Sequence, residues 1–243
     1  MIRVAFFIHF NQTWLGGLNV ILNLINFISN KKNKLGPKLK IIIFTNSKKK
    51  LRKFSISKKV EIIEDASFYD QSIFFRIIDK ISLILFNKTV FLEKFLLKNK
   101  IDYISHTNFV TGNNSSSKSI VWIPDFQYLY FPELFSLKYR FFRRLNLKIY
   151  AKCAHKILLS SYTAKGDLKK ILKILDRRIL VNRFIFERLP KNKLKKFSYL
   201  KKKYKLPKKF FYLPNQYWEH KNHKVVIDAI KKIKNTNRFN DIC

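Results

Sequence analysis

Acidic residues are scarce in this chain: 15 Asp and Glu stand against 51 Lys and Arg in 243 residues, a formal net charge of +36. Cysteine is scarcer still. Cys153 and Cys243 have neither the spacing of a disulfide framework nor partners at metal-ligand spacing, which excludes a disulfide-stapled secreted fold and a zinc-finger type of site. With 5 Gly and 6 Pro the composition is far from that of low-complexity chains, while 47% hydrophobic and 16% aromatic residues supply a core. A long uncharged apolar run is missing as well. The most lipid-like stretch, 73–97, carries Arg76, Asp79, Lys80, Lys88, Glu93 and Lys94 and fails as a membrane-spanning helix. Its apolar stripe is expected to face a sheet, with a membrane interface as the alternative. No small-residue cleavage site follows residues 1–10, which read as a buried first strand and not as a signal peptide. The expected location is cytoplasmic, with peripheral contact at the inner face of the membrane.

The basic residues are spread over 31–34, 48–53 and 191–205 and are not gathered on one element. Lys far exceeds Arg, and Ile, Phe, Asn and Tyr are abundant, the composition that an AT-rich coding sequence produces. A dedicated nucleic-acid site is therefore not expected, although an attraction to anionic lipid follows from the charge itself.

Short apolar runs alternate with longer periodic segments. Residues 2–9 predict a strand and 17–29 a helix; strands are expected at 39–45, 60–63, 102–105, 120–123, 156–160 and 179–181, and helices within 72–99, over 134–154 and over 162–175. Strands alternating with helices imply parallel pairing and right-handed crossovers, hence an α/β, Rossmann-like, doubly wound sheet for 1–181. A lysine-rich connection with Pro190 and Pro207 follows over 182–209, with one polar helix expected near 193–204. A second β-α unit is expected over 210–243, with a strand at 210–213 and a helix at 223–234. It reads as the incomplete start of another Rossmann-like domain.

Chemistry is expected at three places. Gly16 and Gly17 open the first helix just after the first strand, where small residues let backbone N–H groups approach an anion or a sugar, and His9 ends that strand. The tract Trp122-Ile123-Pro124-Asp125-Phe126-Gln127, continued by Tyr128, presents a carboxylate, an amide and aromatics where doubly wound sheets bind ligands. The tract from Pro214 to His223 contains Asn215 and Lys221 between a strand and a helix, a phosphate site with lysine as the point charge. No metal set and no Ser-His-Asp or Cys-His nucleophile is indicated.

In order and spacing, the glycine pair, VWIPDFQYLYFPELFS, ILLSSYTAKGDL and LPNQYWEHKNHKVVIDAI resemble the glycosyltransferase family 4 enzymes of GT-B architecture. The resemblance implies an acceptor domain and a nucleotide-sugar domain facing across a cleft, and sugar transfer with retention and without an essential metal or other cofactor. The nucleotide sugar is a co-substrate, and the acceptor a glycan or lipid-linked glycan of envelope polysaccharide synthesis. It also implies Asp125 beside the transferred sugar, Lys221 with Asn215, Gly16 and Gly17 at the donor phosphate, and His9, Gln127 and Tyr128 at sugar or acceptor. Tyr128 stands where the family has histidine, and Asn215 where many members have arginine. The family's Glu-x7-Glu pair is absent, so the expectation is a truncated donor domain and negligible transfer by this chain alone. A non-catalytic basic α/β module binding anionic membrane or a complementing partner is the alternative.

Overall fold

A computed structural model describes residues 1–10, 15–30, 38–65, 68, 73–185, 195–207 and 209–234. The chain divides into two compact units, 1–187 and 188–243.

The first unit is a seven-stranded parallel sheet of order β3-β2-β1-β4-β5-β6-β7. The strands are β1 (Ile2–Ile8), β2 (Leu39–Thr45), β3 (Glu61–Glu64), β4 (Tyr103–Thr107), β5 (Lys118–Ile123), β6 (Lys156–Leu159) and β7 (Ile179–Val181). The helices between them are α1 (Leu15–Ser29), α2 (Lys48–Leu51), α3 (Ile73–Phe86), α4 (Phe91–Lys98), α5 (Gln127–Tyr130), α6 (Leu137–Cys153) and α7 (Tyr162–Ile171). Strands covered on both faces must be apolar at every position, and Ile41, Ile42, Ile43 and Phe44 are all buried. The two-residue period then sorts them. Phe6, Ile8, Ile41, Ile43, Trp122 and Leu158 pack with Ile21, Leu22 and Ile25 of α1 and Leu51 of α2. Ala5, Ile42, Phe44 and Ile104 face the other way, onto Leu92 and Leu96 of α4. Val121, Ile123, Ile157 and Leu159 meet Leu147 and Tyr150 of α6 and Leu168 of α7. Each such side chain contributes roughly 1.5–3 kcal/mol through burial.

Helix starts follow local chemistry. Ser136 Oγ accepts from Tyr139 N to open α6, and Ser161 Oγ accepts from Ala164 N to open α7. The start of α4 lacks a cap of its own, because Val90 offers no side-chain oxygen. Asp79 of α3 supplies it: its carboxylate accepts from the N–H groups of Val90 (2.7 Å), Phe91 (2.8 Å) and Leu92 (3.1 Å). Gly112, at φ +100°, packs so closely that a Cβ there would stand 2.1 Å from the carbonyl oxygen of Asn87. Nearby, Glu93 is buried. Burial raises its pKa, but hydrogen bonds from the Ser116 hydroxyl and N–H, with Lys88 at 3.5 Å, outweigh this and hold it below the usual carboxylate range.

Two expectations need correction. The helix over 73–86 does not turn its apolar stripe to a sheet. Among its residues of described burial Ser82 and Leu83 are the buried ones, whereas Phe74, Ile77, Ile81, Ile84, Leu85 and Phe86 are 49–67% exposed. The inward face is set by the Asp79 cap and by Ser82 Oγ, which donates to the Lys88 carbonyl, so polar anchoring decides the orientation. The second correction concerns residues 210–213, which form no strand. A lone strand has no ladder to satisfy its backbone, and among the described residues of this stretch only Lys209 makes an isolated bridge.

The second unit contains α8 (Phe197–Lys203), a 3-10 turn at Glu219–Lys221 and α9 (His223–Lys234). The glycine-pair residues Gly16 and Gly17 lie inside the first turn of α1, and Trp14 falls outside the described residues.

Candidate functional site

Strand order reverses between β1 and β4, the point at which an open α/β sheet leaves a crevice beyond its strand ends. A cleft of about 590 Å³ lies there. His9 and Phe10 enter it from the end of β1, Gly17 and Leu18 from α1, Thr107 to Val110 from the end of β4, Arg76 and Lys80 from α3, and Asn146 and Ile149 from α6. Apolar walls with a few amides, imidazoles and cations suit a ligand that carries both hydroxyls and hydrophobic faces.

His106 is the residue that the sequence reading missed. The β4–β5 register shifts between Ser105 and Thr107, and His106, the extra residue, has φ +58°. A bulge at a strand end redirects its side chain, here into the cleft. The ring lies between Phe6 (centroids 5.7 Å apart) and Trp122 (5.3 Å), and Nδ1 is 2.9 Å from the Ser105 hydroxyl. Burial pushes its pKa down to about 4, so the imidazole is neutral at pH 7 and can exchange hydrogen bonds with a hydroxyl. The available signal was a histidine and a threonine where an apolar strand should have continued.

The surrounding groups are fixed. Trp122 Nε1 donates to Ser160 Oγ (3.0 Å), Tyr150 Oη donates to the Asn108 carbonyl (2.5 Å), and Thr107 Oγ1 donates to the Phe109 carbonyl (2.8 Å). Burial raises the Tyr150 pKa against the opposing field of Arg143, which keeps the phenol protonated as a donor.

Of the expected site residues, His9 and Gly17 come together at this cleft, and Gly16 is exposed beside Gly17. Asp125 lies on the loop after β5, Gln127 and Tyr128 lie in α5, and none of the three lines the cleft. Asp125 is exposed, and its Oδ1 accepts from Gln127 N at 3.2 Å, a turn that opens α5. Tyr128, expected to face a sugar, is 5% exposed and packs in the core beneath α6, its hydroxyl enclosed without a hydrogen-bond partner among the described residues. Behind this loop, Tyr130 Oη donates to the buried Asp167 (2.5 Å); that bond, reinforced by burial, raises the tyrosine pKa.

Asn215 and Lys221 belong to the second unit, and both are exposed. Lys221 closes the 3-10 turn, its N–H donating to the Trp218 carbonyl (2.9 Å), and the left-handed Asn222 (φ +47°) then redirects the chain into α9. Lys221 thus stands two residues before a twelve-residue helix, whose free N–H groups add positive potential. Trp218 stacks edge-on against His220 (5.5 Å) beside it.

No protein-family model and no curated protein matches the chain. Among solved structures it is similar to Anabaena Alr3699/HepE in complex with UDP-glucose (TM-score 0.56, 11% identity) and to the same protein in complex with UDP and glucose (TM-score 0.55, 12% identity). Both similarities cover 96% of this chain and 58% of the neighbour, so the chain spans less than two thirds of that protein's length. At these identities the likeness bears on the fold. The chain has an α/β, Rossmann-like architecture, and it shares that fold with a protein solved with a nucleotide sugar bound.

Proposed function

We propose that the chain belongs to a nucleotide-sugar-dependent glycosyltransferase that transfers with retention to a glycan or lipid-linked acceptor in envelope polysaccharide synthesis. The observation that carries this is the cleft at the β1/β4 reversal, in a fold shared with a UDP-glucose-bound protein. In this reading the first unit takes the acceptor. Apolar walls receive the sugar's hydrophobic face, while His9, the neutral imidazole of His106, and Asn146 exchange hydrogen bonds with its hydroxyls. Gly16 and Gly17 leave room at the helix start for an anionic or sugar group, and Asp125 with Gln127 sits at the edge of the transferred sugar.

The donor's diphosphate falls to Lys221 with Asn215. Negative charge grows on the departing nucleoside diphosphate in the transition state, so an ammonium beside a helix start stabilises that state more than the ground state. The acceptor is presented at the inner face of an anionic membrane, to which a chain of charge +36 is drawn.

Isothermal titration with UDP, UDP-glucose and other nucleotide sugars tests the reading. Binding that weakens about tenfold in Lys221→Ala, the scale of a lost charge-assisted contact, supports it. Binding indifferent to Lys221, or no binding to any nucleotide sugar, overturns it.

A further inference from the structure

The outward face of α3 has the wrong polarity for water. Phe74, Ile77, Ile81, Ile84 and Leu85 form a stripe along it, each about half exposed or more, while Ser82 points inward. The same helix borders the cleft with Arg76, Asp79, Lys80 and Leu83, and α6 borders it with Asn146 and Ile149 while exposing Phe141, Phe142 and Leu145. We infer that the α3 stripe, joined by the exposed apolar residues of α6, inserts into the interface of an anionic lipid bilayer and brings the cleft to the membrane surface.

Charge and length select this occupant. The two helices carry eight Lys and Arg and a single acid, Asp79, whose carboxylate is held by three backbone N–H groups. An apolar stripe rimmed by cations matches acyl chains beneath anionic headgroups. Fourteen residues make a helix of about 21 Å, short of the roughly 30 Å hydrocarbon core, so α3 lies in the plane of the interface. Among the described residues no helix is long and apolar enough to cross a membrane. A lipid-borne acceptor would then reach the cleft along the bilayer surface, past Arg76 and Lys80.

This inference rests on the membrane-side acceptor proposed above, and the following experiment separates the two. The full chain is sedimented with phosphatidylcholine vesicles, with and without phosphatidylglycerol, and the same preparation is titrated with UDP-glucose. Binding to the phosphatidylglycerol vesicles is expected, and Ile81→Glu or Ile84→Glu should reduce it by on the order of tenfold, the effect of losing one buried aliphatic side chain. Both positions are exposed, so unchanged circular dichroism and thermal unfolding will show that the fold is intact. In Phe74→Trp, the added emission should be quenched by lipids brominated on the acyl chains. Absent vesicle binding, binding unaffected by the glutamates, or an unquenched tryptophan overturns the insertion. So does a solution dimer that Ile81→Glu dissolves, since a second copy would then cover the stripe. Nucleotide binding without vesicle binding sinks only the membrane inference; vesicle binding without nucleotide binding sinks only the transferase.

Discussion

The imidazole of His106 rests against the indole of Trp122, ring centroids 5.3 Å apart, at the point where the order of the sheet reverses. The contact exists because β4 takes an extra residue there and turns it out of the strand alternation. A group held this way cannot be charged without losing its surroundings, which leads to the first prediction.

Burial lowers the His106 pKa to about 4 from an unfolded value of 6.5. Above pH 6.5 both states are neutral and the contribution to stability is complete. As the pH falls from 6.5 through 4 the unfolded chain takes up a proton that the folded chain refuses, and stability is lost. His106→Asn keeps a residue that tolerates positive φ and removes the titration. Urea unfolding of both proteins across this window should show the variant with the flatter acid limb. Glu93, also held below its usual range, titrates alike in both and cancels in the difference. Parallel limbs would show that His106 is not buried as described.

Gly112→Ala meets both a backbone angle hostile to a side chain and a carbonyl oxygen 2.1 Å from the new Cβ. The expected loss is about 3 kcal/mol, read from the urea midpoint at unchanged slope. A neutral effect would mean that the Asn87–Gly112 approach is looser than described.

Removing the Asp79 carboxylate leaves three N–H groups at the start of α4 without their acceptor. Asp79→Ala should cost about 2 kcal/mol, and Asp79→Asn, which keeps one oxygen, less than that. Hydrogen exchange should show the increase in exchange concentrated at Val90, Phe91 and Leu92. An increase spread evenly over α4 would argue against the capping role.

Much of the fold is legible from residues alone, for a physical reason. A strand buried on both faces needs an unbroken apolar run, so β2 begins and ends where Leu39–Thr45 indicates. At the sheet edge β7, with Leu180 40% exposed, still matches the short run Ile179–Val181. The helix α9 follows from the spacing of Val226, Ile227, Ile230 and Ile233, although Ile227 turns out half exposed. What escapes is whatever long-range partners decide. The bulge at His106 depends on register against β5, and the orientation of α3 depends on an aspartate capping a different helix. Residues 210–213 have strand composition and lack a ladder. The site was legible in part. His9 and Gly17 follow from the position of the first β-α turn, whereas Arg76, Lys80 and Asn146 arrive from helices that only the three-dimensional structure brings to the cleft.

The indole N–H resonances of Trp122 and Trp218 offer the most direct check on a two-ligand chain, since one ring stands at the cleft and the other beside Lys221. With resonances assigned by Trp→Phe substitution, nitrogen-15 spectra are recorded during titration with UDP-glucose and, separately, with acceptor oligosaccharides. The account predicts that the nucleotide sugar shifts Trp218 and the acceptor shifts Trp122, the latter response lost in His106→Asn. Saturating ligand that leaves both indoles unmoved would contradict it.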